Sequence, residues 1–255
     1  MNATNPFRCA LYATTTVSLL LLVACSHRMP QATVEVVDTS RSITQRAEKA
    51  ALDAIQNQIA HMQRGDILVL IPITGDAAND AGGRILRLSA PTQRETYDAD
   101  LRRFHEQARK QLTAWASSLD PHEPRTDILG SLDVARQELA LLPPRISRGL
   151  IVVSDFLEDD GTYRFVSAGQ LANPGRARPL ANRLRAQDGL ALQGITLCLG
   201  RLESSDFASL KPERKQAVDA FWTAYFAAGV RPTEIQVDGM GLLANPERGC
   251  ARGIR

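Results

Sequence analysis

Three oxygen-bearing side chains stand on alternate residues at the end of a β-branched segment. They are Asp38, Ser40 and Ser42, in the stretch TVEVVDTSRSIT. Carboxylate and hydroxyl oxygens are ligands that a hard cation such as Mg²⁺ prefers. Ser42 followed by Gln45 also has the pattern of a capping box, in which the two side chains satisfy free backbone amides at the start of a helix. Capping accounts for Ser42 only, so Asp38 and Ser40 need another explanation.

Two further oxygen-rich segments occur later in the chain. Thr126 and Asp127 precede a helical pattern, and Asp155 ends the apolar strand pattern GLIVVSD. Taken alone, Thr126 reads as a helix cap and Asp155 as a turn residue. Ligands of open α/β sheets bind beyond the carboxyl ends of the strands, near the point where the strand order reverses. The order and context of the three segments therefore favour one shared site at that edge.

The elements that position these residues are predicted from hydrophobic periodicity. Residues 33–37 read as a strand, and apolar residues then recur at helical spacing from Ile43 to Met62, which predicts a helix that ends near Gly65. DILVLIPIT has no polar alternation, as in a strand buried on both faces of a parallel sheet. GDAANDAGG reads as a turn-rich loop, and RILRLSA as a half-exposed edge strand.

Strand and helix patterns continue to alternate through the rest of the chain. The predicted elements are helices over residues 98–119, 128–142, 180–187 and 212–228, strands in GLIVVSD, GITLCLG and TEIQVDG, and an irregular segment over residues 162–179. The segment FWTAYF in the last helix predicts aromatic core packing. This alternation predicts an α/β fold of the Rossmann-like, doubly wound kind, with a mainly parallel sheet and helices on both faces.

The three oxygen-rich segments resemble the metal-ion-dependent adhesion site of the von Willebrand factor type A domain family. That site is written Asp-x-Ser-x-Ser, then a threonine, then an aspartate. DTSRS matches the first element, and TDILGSLDVA and VVSDFLED are similar to the second and third. The resemblance covers residues 33–238, with residues 162–179 unmatched. Pro124 and Arg125 stand where the family usually has glycine before the threonine.

The resemblance implies a metal centre that binds a protein partner, rather than an enzyme. The implied ligands, directly or through water, are Asp38, Ser40, Ser42, Thr126 and Asp155. Asp127 would support them from the neighbouring position, and Mg²⁺ is the implied ion, with Mn²⁺ and Ca²⁺ as alternatives. Two carboxylates leave a divalent site nearly neutral with an open position, which an exposed Asp or Glu of the partner would fill. The type A domain is expected over residues 33–240.

Two other functions remain open on the residues alone. A metal-dependent hydrolase of the phosphatase or nuclease type needs further carboxylates and a nucleophile or base near the metal. Glu158, Asp159 and Asp160 are the extra acids closest in sequence, and a solvated turn is the favoured interpretation of them. A structural envelope lipoprotein would keep the fold without using the metal. The chain contains no Gly-x-Ser-x-Gly, phosphate-binding loop, HExxH or CxxC pattern, so an enzyme is not favoured.

Residues 1–24 are predicted to be a signal peptide. Arg8 precedes the apolar stretch ALYATTTVSLLLLVAC, whose ending LVAC, at Cys25, resembles the lipobox of bacterial lipoprotein precursors. An uncleaved membrane anchor is the alternative, but the stretch is short for a bilayer and is interrupted by three threonines. The resemblance implies lipidation of Cys25, a tether over residues 25–32, and exposure to the periplasm or cell surface of a bacterial envelope. Ser26 favours the outer membrane.

The cysteines allow one disulfide in the mature chain. Cys9 lies in the predicted signal peptide, so Cys198 and Cys250 are the thiols that remain besides Cys25. They could form a disulfide in an oxidising compartment. A buried strand thiol is favoured for Cys198, because the tail over residues 241–255 has no readable pattern.

The charged residues argue against a nucleic-acid-binding role. Removal of residues 1–24 takes away Arg8 and no acid, which leaves 29 basic and 28 acidic residues and a net charge of +1. The arginines are scattered, with one loose group over residues 176–185, and are not interleaved with aromatic residues. His105 lies at the margin of an apolar helical face and pairs with no other histidine at ligand spacing, so we expect it to be packed or solvated.

Overall fold

The computed structural model describes residues 28–92, 97–120, 122–167, 169–188, 190–227, 233–234 and 250–251. The predicted signal peptide, Cys25 and most of the predicted tail lie outside the described residues. None of the described helices has the length and apolarity needed to cross a membrane.

The described residues form one sheet of seven strands and seven α-helices. The strands are β1 (Gln31–Asp38), β2 (Ile67–Ile73), β3 (Leu86–Ser89), β4 (Ser147–Ser154), β5 (Ile195–Arg201), β6 (Thr233–Glu234) and β7 (Cys250–Ala251). The helices are α1 (Gln45–His61), α2 (Ala77–Arg84), α3 (Tyr97–Ser118), α4 (Ile128–Leu141), α5 (Pro174–Asp188), α6 (Ser205–Ser209) and α7 (Pro212–Phe226). A short 3-10 helix covers Gly169–Leu171.

Strand β1 lies in the middle of the sheet, whose order is β3-β2-β1-β4-β5-β6, with β7 also paired to β5. β1 is parallel to both β2 and β4, and β4 is parallel to β5, whereas the edge strand β3 is antiparallel to β2. The chain moves outwards from β1 to β3, then returns to β4 and moves out on the other side. The strand order therefore reverses between β1 and β4. The prediction of a doubly wound, mainly parallel α/β sheet is confirmed.

Helices cover both faces of this sheet because successive side chains of β1 point to opposite sides. Val36 packs with residues of α4, α5 and α7, including Leu132. Val37 packs on the opposite face with Ile55 of α1 and Leu112 of α3. The central strand is buried by both layers, which explains why valine is its most frequent residue.

The aromatic cluster of α7 anchors the loop that follows β4. Its four aromatic side chains are all buried, as the sequence predicted. The indole N–H of Trp222 donates to the carbonyl oxygen of Phe156 at 2.9 Å. The ring of Phe165 meets that of Phe221 edge to face, with 4.7 Å between centroids. Both ends of the loop are thereby packed onto α7.

The segment GDAANDAGG forms the helix α2, so the prediction of a loop is wrong. Asp76 caps this helix by accepting a hydrogen bond from the Asn79 amide at 3.3 Å. The Ala77 amide donates to Asp127 Oδ2 at 3.1 Å, and α2 packs against α4 and β2. Glycine and aspartate favour turns. Capping and tertiary packing outweigh that propensity here.

Helix α5 begins at Pro174 rather than at residue 180, so the prediction of an irregular segment up to residue 179 is wrong in its last part. Proline is tolerated at the first helical position because the N–H that it lacks would have no partner there. Asn173 Oδ1 accepts from the Arg176 amide at 3.1 Å. Pro179 lies inside the helix, which is held in place by buried residues including Ala177 and Leu180.

Cys198 is disulfide-bonded, so the preference for a free buried thiol is wrong. It lies in β5, and the residue opposite it in the antiparallel pairing with β7 is Cys250. The tail returns to the sheet edge through β7. Its sequence pattern did not predict this pairing because the strand has only two residues.

Glu35 is a buried acid in the middle of β1, with 1% of its surface exposed. Its neighbours in the register are Leu70 of β2 and Ile151 of β4. Among the described residues, Oε2 of Glu35 has no hydrogen-bond partner. Burial disfavours the charged carboxylate and raises its pKa from about 4.5 to about 8.

The free energy of unfolding is predicted to fall as the pH rises from about 4.5 to about 8. In this range the folded chain keeps a proton on Glu35 that the unfolded chain has released, so stability declines by up to about 1.4 kcal/mol per pH unit. Glu35→Gln removes this titration, and its stability relative to the wild type should increase across the range. Urea denaturation at several pH values measures the difference.

The matched control is Glu106→Gln, because Glu106 is exposed on α3. Its stability should differ from the wild type by a constant, small amount. Parallel pH profiles for Glu35→Gln and the wild type would show that Glu35 is ionised in the folded protein.

Candidate metal centre

Asp38 is the last residue of β1, and its side chain is fully buried. Its Oδ1 accepts from the Ser40 amide at 2.9 Å, and its Oδ2 accepts from the Ser154 hydroxyl at 2.6 Å. The first bond closes the turn after β1, and the second joins the end of β1 to the end of β4. The carboxylate is therefore fixed at the point where the strand order reverses.

The two serines of the motif lie in the turn after Asp38. The Ser40 and Ser42 hydroxyl oxygens are 3.3 Å apart, and the Ser42 hydroxyl donates to Asp155 Oδ2 at 3.1 Å. The cap of α1 is Thr44, whose side chain accepts from the Ala47 amide. The capping-box interpretation of Ser42 is therefore wrong, and its hydroxyl is directed at the second acid of the motif.

Asp155 follows β4 and is nearly fully buried. Its Oδ1 accepts from the Leu157 amide at 2.9 Å, and the Ser204 side chain also donates to the carboxylate. Together with the bond from Ser42, these contacts join the exits of β1, β4 and β5. Hydrogen bonds thus bring four of the five predicted ligands, Asp38, Ser40, Ser42 and Asp155, into one cluster.

Burial of two neighbouring acids in this cluster raises the pKa of both carboxyl groups. Burial raises the pKa of Asp38, against the effect of hydrogen bonds from Ser154 and Ser40. Burial also raises the pKa of Asp155, to about 7, and the nearby charge of Asp38 raises it further. In the described part of the chain, neither carboxylate forms an ion pair with lysine or arginine. A divalent cation would supply the missing positive charge.

Thr126, the fifth predicted ligand, lies on a neighbouring loop. Its backbone exchanges two hydrogen bonds with Asp159, at 3.1 and 2.8 Å. The helix cap of α4 is Asp127, which accepts from the Gly130 amide at 2.7 Å, so the capping interpretation of Thr126 is wrong. Among the described residues, the Thr126 hydroxyl is not hydrogen-bonded to the other four predicted ligands.

The loop that carries Thr126 is held between the exits of β1 and β2. The Arg41 amide donates to the Glu123 carbonyl at 3.2 Å, which ties the loop to the serine turn. At Gly75 a Cβ atom would lie 2.7 Å from Glu123 Oε1 and 2.9 Å from Arg125 Cβ. Glycine at this position allows the close approach. The chain thus positions the Thr126 loop with Pro124 and Arg125 in place of the family's glycine.

Sequence reasoning missed the position of Glu158. It is fully buried, so the solvated-turn interpretation is wrong for this residue. Its Oε2 accepts from the Leu129 amide at 3.0 Å, and carboxylate oxygens of Asp127, Glu158 and Asp160 lie within 4.8 Å of one another. Burial raises the pKa of Glu158 well above its ordinary value. The only signal in the sequence was the apolar pair that precedes it.

Phe156, between Asp155 and Glu158, has an unusual backbone conformation. Its φ of 66° lies in the left-handed region, which costs a residue with a side chain about 1 kcal/mol or more. The Ser154 hydroxyl accepts from the Phe156 amide, and Trp222 donates to its carbonyl. These two contacts hold the backbone on both sides of Phe156, directly after Asp155.

Comparisons with known proteins bear on the fold. No family model matches the chain, and no curated protein matches it. Similar solved structures include a von Willebrand factor type A protein from Catenulispora acidiphila, at 17% identity over 85% of this chain and 41% of that one, with a TM-score of 0.43. The pilus adhesin SpaC from Lactobacillus rhamnosus GG matches at 12% identity over 87% of this chain, with a TM-score of 0.50. The likeness to the pilus adhesin shows a shared α/β fold.

The share of a similar structure that the chain covers differs widely from one structure to another. It covers 30% of the length of the pilus adhesin. An aerotolerance-related membrane protein from Bacteroides fragilis NCTC 9343 is covered over 98% of its length, at 13% identity and a TM-score of 0.42. At sequence identities this low, the similarity is evidence of the fold and not of the function.

The cluster offers only oxygen donors at the reversal of strand order. Two carboxylates and two hydroxyls are suited to a hard cation such as Mg²⁺, whereas no nitrogen or sulfur donor favours zinc or copper. The residues present therefore fit a divalent cation of the Mg²⁺ class.

Asp155→Asn is predicted to stabilise the metal-free protein. At pH 8 in EDTA, the asparagine removes a buried charge next to Asp38, and we expect the free energy of unfolding to rise by about 1–3 kcal/mol. The gain should be largest above about pH 7 and shrink towards pH 4, where the wild-type carboxyl is already protonated in the folded state. Urea denaturation at both pH values measures it.

Asp206→Asn is the matched control, because Asp206 is exposed on α6 at the same edge of the sheet. Its effect should stay within about 0.5 kcal/mol. A loss of stability in Asp155→Asn under metal-free conditions would mean that the hydrogen bonds of the carboxylate outweigh its buried charge.

Proposed function

We propose that this chain is a membrane-anchored binding protein of the bacterial envelope that holds its partner through a divalent cation. The ligands of the cation are Asp38, Ser40, Ser42, Thr126 and Asp155, with Asp127 beside them. The observation that carries this proposal is the buried pair of carboxylates, Asp38 and Asp155. Hydroxyls orient them, and no basic side chain in the described ranges neutralises them.

Mg²⁺ is the preferred ion, with Mn²⁺ and Ca²⁺ as alternatives. Mg²⁺ requires near-octahedral oxygen coordination and keeps several waters. The two carboxylates balance its charge, so an open position can accept one further anionic oxygen. An exposed Asp or Glu of a protein partner supplies such an oxygen. The net charge of the chain gives no reason to expect nucleic acid.

A binding role is favoured over metal-dependent hydrolysis. The hydrolase alternative needs further acids near the metal, and Glu158 is the nearest such group along the chain after Asp155. Glu158 is fully buried and one of its oxygens is bound to the Leu129 amide, so it offers no surface to a substrate. The name of the pilus adhesin with a similar fold also supports a binding role.

The lipid anchor determines which way the cation site faces relative to the membrane. We infer that residues 1–24 are removed and that Cys25 is lipidated. The tether to the type A domain, predicted over residues 25–32, ends two residues earlier, because Gln31 and Ala32 pair within the sheet. Strand β1 begins at Gln31, and its eight residues span about 26 Å before the serine turn. The cation therefore faces away from the anchoring leaflet, towards the periplasm or cell surface, and Ser26 favours the outer membrane.

Partner capture is predicted to require the cation. The full chain, crosslinked in envelope extracts with millimolar Mg²⁺, should retain proteins that are lost in EDTA and lost with Asp155→Asn. Ser205→Ala is the matched control, because Ser205 lies at the same edge and its hydroxyl has only long contacts of 3.5 Å. This variant should capture the same proteins as the wild type.

Metal binding is checked in the same preparations by thermal unfolding. A cation at 100 times its dissociation constant stabilises the folded state by about 2.7 kcal/mol, which raises the melting temperature by about 5–10 °C. If the wild type shows no such rise, the proposed centre is wrong. If the rise occurs but no capture depends on Mg²⁺, the role as a cation-dependent binding protein is wrong and the structural-lipoprotein alternative gains.

Cys25→Ser is predicted to block maturation. The variant should accumulate as an uncleaved precursor of lower gel mobility, because the peptidase of lipoprotein precursors cuts before a lipidated cysteine. Cys9→Ser is the matched control and should mature normally. Recovery of the wild type from a detergent-free soluble fraction with residue 1 intact would exclude the anchor.

A further inference from the structure

Three carboxylates cluster beside the backbone β-bridge that joins Thr126 to Asp159. Oxygens of Asp127, Glu158 and Asp160 lie within 4.8 Å of one another. Two oxygens on opposite sides of one Ca²⁺ ion are separated by about 5 Å, so the spacing is compatible with a single shared ion. In the described part of the chain none of the three forms an ion pair with a basic residue.

Glu158 gives a second, independent reason to place a cation here. Its side chain has no exposed surface, and its Oε1 has no hydrogen-bond partner among the described residues. A buried carboxylate oxygen without a partner destabilises the fold unless a donor or cation satisfies it. The amide of Leu129 reaches only Oε2.

The other two acids are already oriented by backbone amides. Asp127 accepts from Gly130 and Ala77, and one oxygen of Asp160 accepts from Thr162 and Tyr163, both at 2.6 Å. These bonds hold both carboxylates beside Glu158 in spite of their mutual repulsion. The arrangement is therefore built in advance, from the start of α4 and the loop after β4.

We propose that Asp127, Glu158 and Asp160 bind a second cation, of the Ca²⁺ class, which joins the start of α4 to the loop after β4. Ca²⁺ accepts irregular sets of carboxylates, whereas Mg²⁺ demands near-octahedral geometry. The partial positive charge at the start of α4 offsets part of the third negative charge. This site shares no ligand with the centre at Asp38 and Asp155, and it does not depend on the proposed function.

The test measures Ca²⁺ binding by isothermal titration to the full chain carrying Asp155→Asn, so that the first centre does not contribute. We expect one Ca²⁺ per chain. Adding Glu158→Gln or Asp160→Asn should weaken the binding by about tenfold or more, because each removes a charged ligand. Asn at position 160 can still accept from the two amides, which keeps the turn intact.

Asp159→Asn, added to Asp155→Asn, is the matched control on the same loop. The Asp159 carboxylate pairs with Arg164 at 3.6 Å and is not part of the cluster, so Ca²⁺ affinity should be unchanged. Absence of Ca²⁺ binding in Asp155→Asn, or equal affinity with and without Glu158→Gln and Asp160→Asn, would overturn the second site. If Mg²⁺ does not stabilise the wild type but Ca²⁺ still binds to Asp155→Asn, the first centre is rejected and the second site is supported.

Discussion

Burial of Asp38 and Asp155 beside one another is the constraint on which the surrounding structure depends. Each carboxylate loses its hydration, and the two charges repel across a medium of low polarity. Hydrogen-bond donors surround both carboxylates and offset part of this cost. Asp38 accepts from the Ser154 hydroxyl and the Ser40 amide. Asp155 accepts from the side chains of Ser42 and Ser204 and from the Leu157 amide. These donors lie just after the carboxyl ends of β1, β4 and β5. The acids can therefore be bound in this way only if the three strands end at the same edge of the sheet. The parallel sheet, with its reversal of order between β1 and β4, provides that alignment.

The core on the α7 side of the sheet supports this arrangement mechanically. Trp222 donates to the carbonyl of Phe156, and Phe165 packs on Phe221, so the loop after β4 is fixed at both ends. The left-handed conformation of Phe156 persists because these contacts over-determine it. Asp155, directly before Phe156, is bound by Ser42 of the serine turn, and Glu158, two residues after it, is bound by Leu129 at the start of α4. One short segment thereby supplies acids to two separate clusters, and the aromatic core of α7 holds both.

Much of this could be predicted from the sequence, for identifiable reasons. Asp38 ends one strand rich in valine and Asp155 directly follows another, so their place at one edge followed from strand direction. The alternation of elements was enough to predict the fold class. Other features depend on tertiary contacts that no local pattern encodes. The α2 segment is rich in turn-forming residues and becomes helical through the Asp76 cap and packing on α4. The burial of Glu158 depends on the backbone of Phe156, and the bond of Cys198 on a two-residue strand in the tail.

Cation binding would reverse the direction in which acid acts on this protein. Without a cation, the raised pKa of Asp155 means that the folded state holds a proton that the unfolded chain releases, so stability increases as the pH falls from about 7 towards 4. With a cation bound, the ionised carboxylates are the stabilised form, and protons compete with the ion for the same oxygens. Stability is then present at neutral pH and is lost as the pH falls. The buried acids, which are unfavourable alone, would therefore make the fold of this edge dependent on a bound ion. The strength of that dependence would be set by how completely the protein excludes water from Asp38 and Asp155.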